Sequence, residues 1–185
     1  MKKVIFLTLI FSLFGVHMEL QAQNQNNRIL IVYYSKTGNT RTVAEFIHQA
    51  VGGDIFELKP ARAYPSDYQA TVTLARQENQ ANARPALASN VNNMSDYDII
   101  FLGYPNWINT MPMFFFTFLE SHNFRGKTII PFCTHGSGGL GNSVADIRRV
   151  ASGATVREAF GVRGANANNS RNDVIAWLRS LGLMR

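Results

Sequence analysis

Cysteine is nearly absent from this chain: Cys133 is the single one among 185 residues. One thiol cannot close an intramolecular disulfide, and no thiolate metal site can be built from it alone. Histidine is sparse too. His17 sits in the first residues, and His48 and His122 fall on different predicted elements, so no metal is expected. Lysine and arginine never form a tract, and aromatics do not interleave with them, so nucleic acid is not an expected partner although the formal charge is +6. There is no low-complexity run. No Gly-Lys-Ser/Thr follows a four-residue spacer, which excludes a Walker A loop and argues against a nucleoside triphosphate with magnesium as ligand. The apolar run Val4–Val16 is too short to span a bilayer comfortably.

What is present is ordinary for a globular chain, with 46% hydrophobic and 16% charged residues. One domain with its own core is expected at this length. The first 22 residues are set apart from it. Lys2 and Lys3 precede the apolar run, polar residues follow, and Ala22 supplies a small residue before a cut. This is the plan of a secretory signal peptide over residues 1–22, followed by a loose polar lead-in at 23–27 and a domain at 28–185. An uncleaved anchor is the alternative, and a lipoprotein is disfavoured because no cysteine lies near the cut. Export to the bacterial periplasm is the expected destination, with no stable membrane span in the mature chain. Cleavage removes Lys2, Lys3 and Glu19, which leaves a mature chain near +5.

The body alternates two patterns. Arg28–Tyr34 is a continuous apolar, β-rich run, the mark of a strand buried on both faces. Thr40–Val51 has helical spacing and is stopped by Gly52 and Gly53. A strand at Asp54–Lys59 follows, then a polar helix from Ser66 to about Asn82 with Tyr68, Val72, Leu74 and Ala75 as its apolar stripe. Strands are predicted at Asp98–Tyr104, Lys127–Thr134 and Thr155–Phe160. Helices are predicted at Thr110–Ser121, Asn142–Ser152 and Ser170–Leu183, with Thr110 as the cap of the first. Five strands alternating with helices predict an open parallel α/β sheet with helices on both faces. Ligands of such sheets sit beyond the carboxyl ends of the strands, which directs attention to the loops after strands one, three and four.

The first loop is Ser35-Lys36-Thr37-Gly38-Asn39-Thr40. It leaves a buried strand and opens a helix, where free N–H groups and a partial positive charge suit a phosphate. Gly38 allows a tight turn and close backbone approach. A plain helix start with polar turn residues is the bland alternative. The arrangement strand, Ser-x-Thr-Gly-x-Thr, helix resembles the FMN-phosphate loop of the flavodoxin family, and the similarity runs over about residues 28–183. It implies a flavodoxin-like three-layer sandwich, a five-stranded parallel sheet of order 2-1-3-4-5, and FMN as cofactor. It also implies that Ser35, Lys36, Thr37, Gly38, Asn39 and Thr40 wrap the phosphate.

The resemblance extends to the other loops. Trp107 stands where a flavodoxin sets a ring against the isoalloxazine, with backbone of Pro105, Asn106 and Trp107 at the ring edge. Asn109 and Thr110 then reach the ribityl chain or merely cap the next helix. Trp107 as a core or rim aromatic is the alternative. Thr134, His135, Gly136, Ser137 and Gly138 correspond to the loop that borders the far side of the flavin. Gly136-Ser-Gly138-Gly-Leu-Gly141 also satisfies G-x-G-x-x-G, with Glu158 downstream as in a dinucleotide fingerprint. That reading ranks second, because such a fingerprint belongs to the first strand–helix turn and Glu158 falls within its predicted strand.

No acid/base pair, Ser/His/Asp set or Cys/His dyad occurs in these loops, so an electron carrier is favoured, exchanging electrons with a redox partner protein or a small-molecule acceptor. An FMN-dependent NAD(P)H reductase of quinones or similar small acceptors is the alternative, and a non-catalytic flavin-binding domain is the second. Two features depart from the resemblance. Ordinary flavodoxins resemble acidic proteins, whereas this chain is basic with no Asp or Glu between Cys133 and Ala145, and it carries an export signal.

Overall fold

The computed structural model of the chain describes residues 28–184. The signal-peptide and lead-in expectations lie outside the described residues. The apolar run after Arg28 forms strand β1 (Ile29–Tyr33), and helix α1 (Asn39–Val51) follows it. Strand β2 (Asp54–Glu57), helix α2 (Tyr68–Gln80) and strand β3 (Ile99–Pro105) come next. Helix α3 (Phe114–Glu120), strand β4 (Thr128–His135) and helix α4 (Ser143–Val150) continue the alternation. Two short strands, β5 (Thr155–Val156) and β6 (Phe160–Arg163), precede the last helix α5 (Arg171–Ser180).

The sheet is parallel throughout, in the order β2-β1-β3-β4-β5, with β6 also paired to β4. The expected order is therefore present, and the expected fifth strand is two. Arg157 still donates its N–H to Ile129 O at 3.0 Å, after which the chain leaves the ladder and rejoins β4 at Phe160 opposite Phe132. Glu158 lies in that interruption, not within a strand, and its carbonyl accepts from Trp177 Nε1 at 3.2 Å.

Alternation along the strands sends side chains to opposite faces. Leu30, Val32, Ile100 and Leu102 enter one core with α3 and α4. Ile31, Tyr33, Phe101 and Phe132 enter the other with α1 and α5. A sheet buried on both faces needs strands that are apolar at every position, which is why β1, β3 and β4 read as unbroken hydrophobic runs.

Two helix starts differ from expectation. Thr110 does not cap α3. Its hydroxyl donates to Asp146 Oδ2 at 2.7 Å, and the chain passes through turns at Pro112 and Met113 before α3 begins at Phe114. In α2, the cap is Asp67, which accepts from Ala70 N at 2.7 Å, and the buried positions are Thr71 and Ala75. Tyr68, placed on the apolar stripe by its spacing, is 72% exposed.

Candidate functional site

The carboxyl ends of β1, β3 and β4 open into a cleft of about 650 Å³. One end of it is the start of α1, where Thr37, Asn39 and Thr40 line it. Gly38 precedes the helix at φ 92°, a conformation that disfavours any side chain. No side chain caps this start and no acidic residue lies in its first turn. The first N–H groups of a helix have no partner within it and carry partial positive charge. In the loop that leads into this helix, the Ser35 hydroxyl is buried with no hydrogen-bond partner among the described residues. A buried unpaired hydroxyl is costly, so such a group marks a place where a ligand can complete the network.

The loops are tied to one another. Thr40 Oγ1 and Thr134 Oγ1 share a buried hydrogen bond of 2.8 Å, which joins the start of α1 to the end of β4. Asn106 joins the end of β3 to β4 through its N–H to Thr134 O at 2.8 Å, and to the loop after β4 through its Nδ2 to Gly139 O at 2.7 Å. Asn142 N donates to Asn109 O at 2.7 Å. Gly141 has Asn109 against it so closely that a Cβ would collide with the Asn109 backbone.

Trp107 and Thr110 bond to each other in both directions, at 2.7 and 3.1 Å, around Ile108 and Asn109. Both central residues have positive φ, 50° and 65°, the signs a type I′ turn requires. Asn tolerates that region and isoleucine does not, so Ile108 is strained. The turn fixes Trp107, whose ring meets Tyr64 edge-on at 4.7 Å and Tyr34 at 5.8 Å. Burial, and then the charge of Glu57, push the Tyr34 phenol up to about 12. Tyr64 is raised by burial and by its hydrogen bond to Glu78. Both stay neutral and buttress the indole.

Of the residues singled out in the sequence, the cleft brings together Lys36, Thr37, Asn39, Thr40, Pro105, Asn106, Trp107, Thr134, His135 and Gly136. Ser35 and Gly38 belong to the same first loop but are not among the residues lining the cleft. Asn109 is exposed and serves the turn, Thr110 is buried and serves Asp146, and Ser137 and Gly138 are exposed beyond the cleft. Lys36 directs its ammonium to Pro65 O, so it straps the loop after β2. Cys133 is buried, and burial pushes its thiol up to about 12, so it stays a thiol. The G-x-G-x-x-G stretch opens no helix directly: α4 begins only at Ser143.

Sequence reasoning missed two walls. One is α2 with its lead-in, which contributes Ser66, Tyr68, Thr71, Val72 and Ala75. Its polar composition carried no signal of a ligand. The other is Arg163-Gly164-Ala165 at the end of β6. The rule that sites lie beyond strand ends would have found it, had it been applied to the last strand as well.

Comparison with known proteins agrees with this geometry. No curated protein matches the chain significantly. Crystal structures of candidate flavoproteins from Bacteroides eggerthii and Bacteroides uniformis are each 32% identical to it. The first has a TM-score of 0.75 and the alignment covers 85% of this chain and 99% of that one. The second has a TM-score of 0.74, covering 83% and 98%. A flavoprotein from Lactobacillus acidophilus in complex with FMN shares the fold at 22% identity and a TM-score of 0.62, covering 77% of this chain and 97% of that one. The family model described as flavodoxin matches residues 28–181, and the chain belongs to the flavodoxin family.

Proposed function

We propose that this chain holds one FMN in the cleft and works as an exported electron carrier. The observation that carries the reading is that the uncapped start of α1 and the braced ring of Trp107 open into the same space. FMN has a dianionic phosphate at one end and a flat ring at the other, and the residues present fit both. Thr37, Asn39 and Thr40, with the buried hydroxyl of Ser35, would hold the phosphate. Trp107 offers a ring face, and the backbone of Pro105, Asn106 and His135 borders the space beside it. Bound FMN supplies the redox chemistry, taking up two electrons as hydride and passing them on singly.

The protein's part is to bind, orient and leave an open side. The described residues lining the cleft include no carboxylate and no thiol, and His135 is their single imidazole. No general acid/base pair is available there, which favours electron exchange over chemistry on a covalently engaged substrate. Lys2, Lys3, the apolar run to Val16 and the small residue Ala22 support export with removal of residues 1–22. A mature protein beginning at Gln23 is the expected mass-spectrometric result.

One observation favours a second reading, reduction of a small acceptor with NAD(P)H as donor. Val72, Ala75 and Ile108 give the α2 side of the cleft an apolar wall of the kind that admits a flat small molecule. The deciding experiment is the visible spectrum of the purified protein before and after adding FMN, followed by turnover assays. A flavin spectrum that shifts on binding supports the cofactor. Steady NAD(P)H oxidation then favours the reductase, and dependence on a protein donor favours the carrier. Tight FMN binding without turnover from any donor leaves a non-catalytic flavin domain. Failure to bind FMN by a protein folded by circular dichroism overturns all three.

A further inference from the structure

We infer that the guanidinium of Arg163 holds the cofactor's phosphate, which gives this site a fixed cation from the end of the last strand. The inference rests on FMN occupying the cleft with its phosphate at the start of α1.

The break in the last strand is what puts the residue there. Because β6 rejoins β4 in the register Phe132 with Phe160 through His135 with Arg163, Arg163 ends at the same sheet edge as the other loops. The chain then folds at once into a short helical turn, Gly164–Asn169, packed against α1. Two contacts fix that packing. Thr42 Oγ1 donates to Asn168 Oδ1 at 3.4 Å, and a Cβ on Gly164 would lie 2.6 Å from Asn39 Nδ2. Arg163 is therefore anchored beside the first residue of α1, and it lines the same cleft as Thr37, Asn39 and Thr40.

Its charge is uncommitted. Arg28, Arg41, Arg84 and Arg149 each pair with a carboxylate. Arg163 is exposed and its guanidinium has no ion pair, hydrogen bond or ring contact among the described residues, and no carboxylate lines the cleft to take it. Lys36, the other cation there, is occupied with Pro65 O. The neighbour across the ladder, His135, has a buried Nδ1 without a partner among the described residues, so this corner holds an unsatisfied polar group beside the unpaired cation. A phosphate supplies acceptors and charge together, and the planar fork of arginine matches two of its oxygens.

The test is fluorescence titration of the flavin-stripped protein with FMN and with riboflavin, which lacks the phosphate. Wild type, Arg163→Gln and Arg163→Lys are compared at low and moderate salt. Arg163→Gln is expected to weaken FMN about tenfold at low salt, the lower end for a charge-assisted hydrogen bond because the side chain is exposed. Riboflavin affinity should not move, Arg163→Lys should fall between, and the salt dependence of FMN binding should flatten in Arg163→Gln. Equal FMN affinity and equal salt dependence in wild type and Arg163→Gln would overturn the inference, as would equal loss for FMN and riboflavin. A wild-type protein that binds no FMN removes the cofactor reading itself, and this inference with it, so the two failures are told apart by the wild-type titration alone.

Discussion

Gly103 shows how little freedom the sheet leaves at single positions. It sits in β3 opposite Phe132 of β4, and the Phe132 ring lies over it so closely that any Cβ would strike the ring. Gly103→Ala must push aside a fully buried aromatic in a packed core, and overpacking of this kind costs about 1–3 kcal/mol. Urea unfolding of Gly103→Ala should show a lower midpoint at unchanged slope, and Gly103→Ala with Phe132→Leu should recover part of the loss. His122 behaves differently, because its cost depends on pH. Its ring packs between Phe118 and Phe124, and Nε2 lies 2.7 Å from Asn90 Oδ1. Burial lowers its pKa below the ordinary value of 6.5. The unfolded chain then binds the proton more readily than the folded one, so stability is complete above pH 6.5 and declines as pH falls through the folded pKa. His122→Gln should flatten that decline, read as the difference in unfolding midpoint between pH 7.5 and pH 5.5. An unchanged difference would place the acid sensitivity elsewhere.

At the scale of elements, what could be read in advance follows from periodicity. β1, β3 and β4 are visible as apolar runs because both faces are buried, and α1 is visible because Val43, Ala44 and Ile47 fall on one stripe. The split of the last strand was not legible, since Arg157-Glu158-Ala159 is no more polar than many edge strands and the Trp177 Nε1 bond to Glu158 O at the break is a long-range contact of the fold. The start of α3 was misread because a Thr two residues before a Pro is a good cap locally, and only the fold brings Asp146 to its hydroxyl. In the same way the first and second loops of the cleft were legible from their residues, whereas the α2 wall and Arg163 depend on tertiary packing. The uncapped start of α1 carries the proposed phosphate contact. A carboxylate in its first turn should stabilise the helix, by about 0.5 kcal/mol, and should repel a phosphate at the same place. Asn39→Asp is therefore expected to raise the unfolding midpoint of the flavin-free protein slightly while weakening FMN. An FMN affinity that does not fall in Asn39→Asp would mean that the phosphate does not sit at this helix end.

The whole molecule adds a field to these local arrangements. The chain is basic, with a formal charge of +6, and the cleft itself is lined by Lys36 and Arg163 with no carboxylate among the described lining residues. Electrons entering bound FMN add negative charge, so a positive surround favours their uptake and raises the potential, whereas an acid-lined site lowers it. A carboxylate placed on the cleft wall should reverse part of this effect. Ser66 is exposed, lines the cleft on the α2 side and precedes the helix cap Asp67, so Ser66→Asp adds a charge without removing a structural bond. One added charge near the rim is worth on the order of 1 kcal/mol, which for a two-electron couple is about 20 mV. Dye-equilibrated titration of the FMN-loaded variant at low salt should give a potential more negative by roughly that amount. The shift should shrink as salt screens the new charge. A potential that stays put at low salt would separate the basic surface from the cofactor's energetics and leave attraction of acidic redox partners as the role of the charge.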